Sequence, residues 1–144
     1  ILDGMGAGDN TRAAMLTRGL YEMTKIGIAL GAKQATFSGL TGMGDLIVTA
    51  TSVHSRNHRA GLLLGQGKTL EETLKEVGMV VEGVMTTKSA RALAQKLHIE
   101  LPITNEIGQL LFEQKPVMAC IADLMSRERR LEMEPLLDMP EYEG

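Results

Sequence analysis

The sequence predicts an all-α fold. Apolar residues recur at spacings of three and four along most of the chain, and alternation of period two never lasts beyond a few residues. Glycine, proline and small polar residues punctuate the periodic stretches where helices would start and stop. The first helix is expected from about Thr11 to Leu30, with Leu16, Leu20, Met23, Ile26 (or Gly27) and Leu30 on one stripe. Asp9 or Asn10 offers a cap, and Gly31 can close the far end in a left-handed conformation. A glycine-rich bend follows at Gly39, Gly42 and Gly44. Ser55 to about Gly65 reads as the next helix, carrying Leu62, Leu63 and Leu64. Thr69 to Val77 comes after it, opened by a capping box of Thr69 and Glu72. Val84–Leu97 is rich in Ala, Lys and Leu, Thr104–Glu113 follows Pro102, and Pro116 suits the first residue of a last helix to about Arg129. The core is expected from Leu, Met, Ala and Val, and ten Met with few aromatics make it adaptable. A helical domain over 1–130 and a fraying acidic tail over 131–144 complete the expectation.

Composition narrows the function. At 144 residues the chain is one ordinary domain, and its 44% apolar content with a net charge of −3 excludes disorder throughout. No uncharged apolar run approaches the length of a bilayer span. Two Tyr, two Phe and no Trp, on a mildly acidic chain, disfavour a nucleic-acid coat. Cys120 stands alone, which excludes an internal disulfide and suits a reducing cytosol; its neighbours Met118, Ala119 and Ile121 mark it as core. His54 and His58 lack a third ligand and make a weak metal case, so no metal is expected. The chain starts at Ile1 with no basic leader, so no signal peptide is read and a fragment of a longer protein is expected. The charge run Arg127–Arg130 reads as a solvated helix end.

Three short stretches could carry chemistry. Asp45 follows Gly42-Met43-Gly44, where glycines let backbone approach a ligand and a carboxylate can hold a hydroxyl or an ammonium; it could equally cap the helix after it. Ser55-Arg56-Asn57 places a hydroxyl, a guanidinium fork and an amide at a helix start, a plausible seat for a phosphomonoester. Its plainer reading is a Ser N-cap beside a solvated Arg. Val80-Val81-Glu82-Gly83 sets a carboxylate and an apolar pair where a nucleoside could pack, or where Glu82 merely complements a helix dipole. Taken singly, each admits the ordinary structural role. Gly4-x-Gly6-x-Gly8 lacks the spacing of a dinucleotide fingerprint.

In combination these stretches are far more specific. G-x-G-D-N-T-R-A-A-M-L-T-R-G-L-x-E-M at Gly6–Met23, T-F-x-G-L-T-G-M-G-D-L-I-x-T at Thr36–Thr49, S-R-N at Ser55–Asn57 and V-V-E-G at Val80–Gly83 occur in order. Together they closely resemble the C-terminal domain of bacterial NAD(P)-dependent glycerol-3-phosphate dehydrogenase, over nearly the whole chain to about Arg129. The resemblance implies the all-helical fold of the 6-phosphogluconate dehydrogenase C-terminal-like type, joined in the family to an N-terminal Rossmann domain. It implies a cytoplasmic enzyme of glycerophospholipid synthesis that interconverts sn-glycerol 3-phosphate and dihydroxyacetone phosphate by hydride transfer with NAD or NADP.

By motif position, Asp45 resembles the substrate-binding acid beside the catalytic Lys, and Thr49 the Thr one helical turn later. Both are thereby implied at the catalytic centre. Ser55, Arg56 and Asn57 resemble the substrate-phosphate loop, and Arg56, Val80 and Glu82 the residues that touch the cofactor. The family's Lys-Asn motif lies just upstream of Ile1, so this stretch alone is expected to be inactive. Two other readings stay open: the helical half of another two-domain hydroxy-acid dehydrogenase, and a non-catalytic oligomerisation module. A homodimer, through an exposed apolar face, stays open too.

Overall fold

The computed structural model describes residues 1–126, so the charge run Arg127–Arg130 and the tail over 131–144 lie outside the described residues. The described part is helical. It comprises α1 (Asp9–Ala29), α2 (Gln34–Ser38), a π-helical turn (Leu40–Gly44), α3 (Asp45–Thr51), α4 (Arg56–Gly65), α5 (Leu70–Val77), α6 (Glu82–Leu97), α7 (Pro102–Phe112) and α8 (Val117–Ser126). The all-α expectation therefore holds for these residues.

Local signals explain most boundaries. The Thr69 hydroxyl accepts the Glu72 amide while the Glu72 carboxylate accepts the Thr69 amide at 2.8 Å, the capping box expected from their spacing. Gly31 takes φ +87°, and the Gly31 and Ala32 amides donate back to the Ile28 and Gly27 carbonyls, which ends α1 as expected. Other boundaries differ. Gly8, rather than Asp9 or Asn10, precedes the first helical residue, and it provides no side-chain cap. Asp9 instead pairs with Arg12 one turn on. α6 starts at Glu82, two residues early, and α7 at Pro102, whose fixed φ suits a first helical position. Pro116 stays outside α8, its carbonyl accepting the Ala119 and Cys120 amides.

The expected α1 stripe is only partly buried. Met23 and Leu30 are exposed, while Glu22, Thr24 and Gly27 are the buried residues. The reason lies in what α1 meets. Glu22 reaches the start of α7, where its carboxylate accepts the Ile103 amide at 2.6 Å, the Thr104 amide at 3.0 Å and the Thr104 hydroxyl at 2.7 Å. That satisfies orphan donors at a helix N-terminus with a buried acid. Gly27 faces the Phe37 ring, and a Cβ there would overlap it. The Met expectation also fails: six of the described methionines are exposed and none is buried. Ala60, Val77 and Val81 form the central cluster instead, with Leu63 and Val84 packed on it. Cys120 is buried as expected, and burial pushes its thiol pKa up.

Two close approaches position the elements used below. A Cβ on Gly42 would overlap the Phe37 backbone, so only glycine lets the π-helical turn fold back on α2 and launch α3. Gly65 likewise admits the backbone of Ile1 and Gly4 onto α4. Asp3 then locks that segment, its carboxylate bonding His58 Nε2 of α4 at 2.8 Å and Arg12 Nη1 of α1 at 3.1 Å.

Replacing Glu22 with Ala leaves the α7 amides without their acceptor and is expected to cost about 3 kcal/mol, read by urea unfolding of the chain. A loss below about 1 kcal/mol would show that water serves those donors equally well. The Asp3 carboxyl is held below its ordinary 3.8, chiefly by His58 and then by Arg12. A depressed carboxyl stabilises the fold fully above that ordinary value and loses the contribution as pH falls through the native one. Acid unfolding of Asp3→Asn should therefore lack part of the wild-type loss below that value; superimposable acid limbs would contradict it.

Candidate functional site

Four segments meet around one open cavity of about 340 Å³, lined by Val48, Thr49, Ser52, His54, Ser55, Arg56, Asn57 and Glu82. α3 forms one wall, the turn over 52–55 the floor, and the first residues of α4 and α6 the rest. Ser55 is the N-cap of α4, its hydroxyl accepting the His58 amide at 3.2 Å. The plain reading of Ser55 is therefore correct as far as it goes, yet the same turn sets Arg56 and Asn57 on the cavity wall. The Arg56 and Asn57 amides have no acceptor among the described residues. Unpaired first-turn amides and the helix dipole favour an anion at this place.

The second helix start is tied to the first. Asn57 Oδ1 accepts the Gly83 amide at 3.0 Å, and Arg56 Nη2 lies 3.4 Å from Glu82 Oε1. A Cβ on Gly83 would crowd that Asn57 oxygen, so glycine keeps α4 and α6 close. The Arg56–Glu82 pair is solvent-exposed, with the Glu82 side chain 75% accessible, and such pairs are weak. The guanidinium can therefore exchange this partner for a stronger anion.

On α3, Asp45 is the first helical residue, and its carboxylate neither caps the helix nor has another partner among the described residues. The capping role weighed for Asp45 is thus not the one it plays. Thr49 lies one turn on, about 6 Å along the axis on the same face. The hydroxyls of Thr17, Thr24, Thr51, Thr86 and Thr87 all turn back to the carbonyl four residues earlier. No such bond holds Thr49, which lines the cavity.

Of the residues singled out in the sequence, Thr49, Ser55, Arg56, Asn57 and Glu82 come together here. Asp45 is exposed one turn away, and Val80, 69% exposed, stands two residues before Glu82 outside the lining. Val48, Ser52 and His54 were not picked out. His54 adjoins Ser55, but the pairing of His54 with His58 directed attention to metals. The two histidines in fact part company: His58 bonds Asp3, and His54 lies in the turn before α4. Among the described residues no group of three His, Cys, Asp or Glu could hold a metal, and no helix is long and apolar enough to cross a membrane.

Asn57→Ala removes the acceptor of the Gly83 amide. It should cost about 1 kcal/mol and speed hydrogen exchange at Gly83, read by NMR; unchanged exchange would mean the two helix starts are held together otherwise.

Comparison with known proteins bears directly on this arrangement. Residues 1–122 match the family described as NAD-dependent glycerol-3-phosphate dehydrogenase C-terminus. The chain is 60% identical over 132 residues to glycerol-3-phosphate dehydrogenase [NAD(P)+] of Moorella thermoacetica, covering 92% of this chain and 39% of that protein. Against the enzyme of that name from Fusobacterium nucleatum, identity is 53% over 134 residues, covering 93% of this chain and 40% of the other. A crystal structure of glycerol-3-phosphate dehydrogenase from Coxiella burnetii superposes with a TM-score of 0.84 at 41% identity, over 88% of this chain and 39% of that one. The chain thus spans about 40% of the length of these curated relatives, and it belongs to the family of NAD-dependent glycerol-3-phosphate dehydrogenase C-terminal domains.

Proposed function

We propose that this chain is the substrate-binding helical domain of an NAD(P)-dependent glycerol-3-phosphate dehydrogenase, interconverting sn-glycerol 3-phosphate and dihydroxyacetone phosphate. The observation that carries the proposal is the shared cavity: Arg56, the Ser55 turn and two helix starts line the same space as Thr49. In this reading Ser55, Arg56 and Asn57 hold the phosphate. The guanidinium supplies two parallel charge-assisted bonds, and the first-turn amides of α4 supply further donors. Clamping the phosphate orients the carbon that reacts, so binding energy remote from the chemistry lowers its barrier.

Asp45 and Thr49, stacked on one face of α3, attend the polyol end. Asp45, which caps nothing, holds the substrate hydroxyl and the ammonium of a Lys expected upstream of Ile1. That Lys would move the proton to or from the C2 oxygen. Glu82, with a largely exposed carboxylate, fits an acceptor for ribose hydroxyls, and the exposed apolar side chain of Val80 fits a packing surface. Arg56, Val80 and Glu82 would therefore touch a nicotinamide cofactor, NAD or NADP, which supplies or accepts the hydride.

The remaining length of the relatives is read as the Rossmann domain. Leu40, Val48, Val53 and Val80, each more than 60% exposed, mark the apolar face it would cover. We place the enzyme in the cytoplasm, supplying glycerophospholipid synthesis, and assign residues 1–130 to the helical domain. A homodimer would use a different apolar face, such as that of Met118 and Met125 on α8.

In the full-length enzyme, Arg56→Ala should raise KM for dihydroxyacetone phosphate about 30- to 150-fold, the equivalent of about 2–3 kcal/mol. An unaltered kcat/KM in that variant would end the phosphate assignment.

A further inference from the structure

Val48, Ser52 and His54 line the cavity without a part in substrate binding as read above, and of these His54 alone has a ring N–H to offer. His54 lines the same space as Arg56 and Ser55, and its ring has no hydrogen-bond partner among the described residues. Its backbone is nevertheless fixed. The His54 amide donates to the Ser52 hydroxyl at 3.3 Å, and the Ser55 amide donates to the Ser52 carbonyl at 3.0 Å. The imidazole is thus presented at the cavity by a closed turn while remaining uncommitted. His58, four residues on, is committed to Asp3.

The chemistry of the lining makes that uncommitted ring consequential. The formally charged side chains there are Arg56 on α4 and Glu82 on α6, one of each sign. Their charges cancel, whereas a phosphomonoester near neutral pH brings close to two negative charges and several acceptor oxygens. An imidazole offers a ring N–H donor, which can answer an oxygen that the single guanidinium does not reach.

We propose that His54 is a further side-chain ligand for the substrate phosphate, its ring N–H donating to a phosphate oxygen beside the Arg56 guanidinium. This rests on the reading of the cavity as a phosphate seat.

The test is KM and kcat for dihydroxyacetone phosphate in the full-length enzyme, for wild type, His54→Ala, His54→Gln and Arg56→Ala. His54→Ala, which removes the donor, should raise KM about five- to tenfold with kcat little changed. His54→Gln, whose amide keeps an N–H donor, should recover most of that loss. An unchanged KM in His54→Ala, with Arg56→Ala still impaired, would overturn the His54 assignment and leave the phosphate seat standing. If Arg56→Ala is also unimpaired, the seat itself is wrong and His54 falls with it.

Discussion

The hydrogen bond from the Gly83 amide to the Asn57 side chain joins two helix starts that lie 26 residues apart in sequence. Without it, α4 and α6 would still meet through Ala60, Leu63, Val81 and Val84, but no directional bond would fix one helix start against the other. With it, Ser55, Arg56, Asn57 and Glu82 share one cavity. A single Arg or a single helix end is an ordinary surface feature. Their convergence concentrates donors and positive potential on a space of about 340 Å³, enough for a small anion.

The joint holds because α4 is anchored away from the cavity as well. Ile1 and Gly4 lie against Gly65 at its far end, and Asp3 bonds His58 on its flank while reaching Arg12 of α1. α1 in turn fixes α7 through the buried Glu22 carboxylate, and α7 packs on α6. The path from Glu22 to Glu82 therefore runs through helix termini satisfied by side chains rather than through a large apolar core. That accounts for a thin central cluster of Ala60, Val77 and Val81 coexisting with a well-placed polar site. Positional accuracy here comes from directional bonds, which small or apolar contacts alone do not supply.

What the sequence made legible was local. Thr69 with Glu72, Gly31 after α1, and the Ser55 cap each concern residues within a few positions of one another, and each was readable from spacing. Between Gln34 and Thr51 only a glycine-rich bend and a helix after Asp45, without bounds, were readable. There the helices α2 and α3 are short and the π-helical turn bonds in an uncommon pattern, so no stripe of sufficient length existed to read. The exposed Met23 and Leu30 show the complementary limit. Periodicity says that a helix has an apolar face but not what meets it, and here the meeting groups are a carboxylate, a small residue and a helix end. For the site, the residue types of Arg56 and Glu82 were readable and their 3.4 Å approach was not, since nothing in sequence relates α4 to α6. His54 was legible only as half of a metal pair with His58, because its lack of a partner is a property of three dimensions.

The distribution of polarity around the cavity bears on how such a domain can work. Its lining is almost wholly polar or charged, with Val48 the apolar exception, while Leu40, Val53 and Val80 are exposed outside that lining. A polar seat open to water can still hold a dianion, because charge-assisted bonds to a guanidinium and helix amides survive partial solvation. Moving a hydride and a proton is more demanding, since water must be excluded and the donor groups fixed within reach. On the proposed reading, the exposed apolar residues are where that exclusion would be achieved, when a second domain closes over them. Phosphate recognition and chemistry are then separable in kind: the first needs only the helix starts joined by Asn57, and the second needs a surface that this chain offers but does not itself cover.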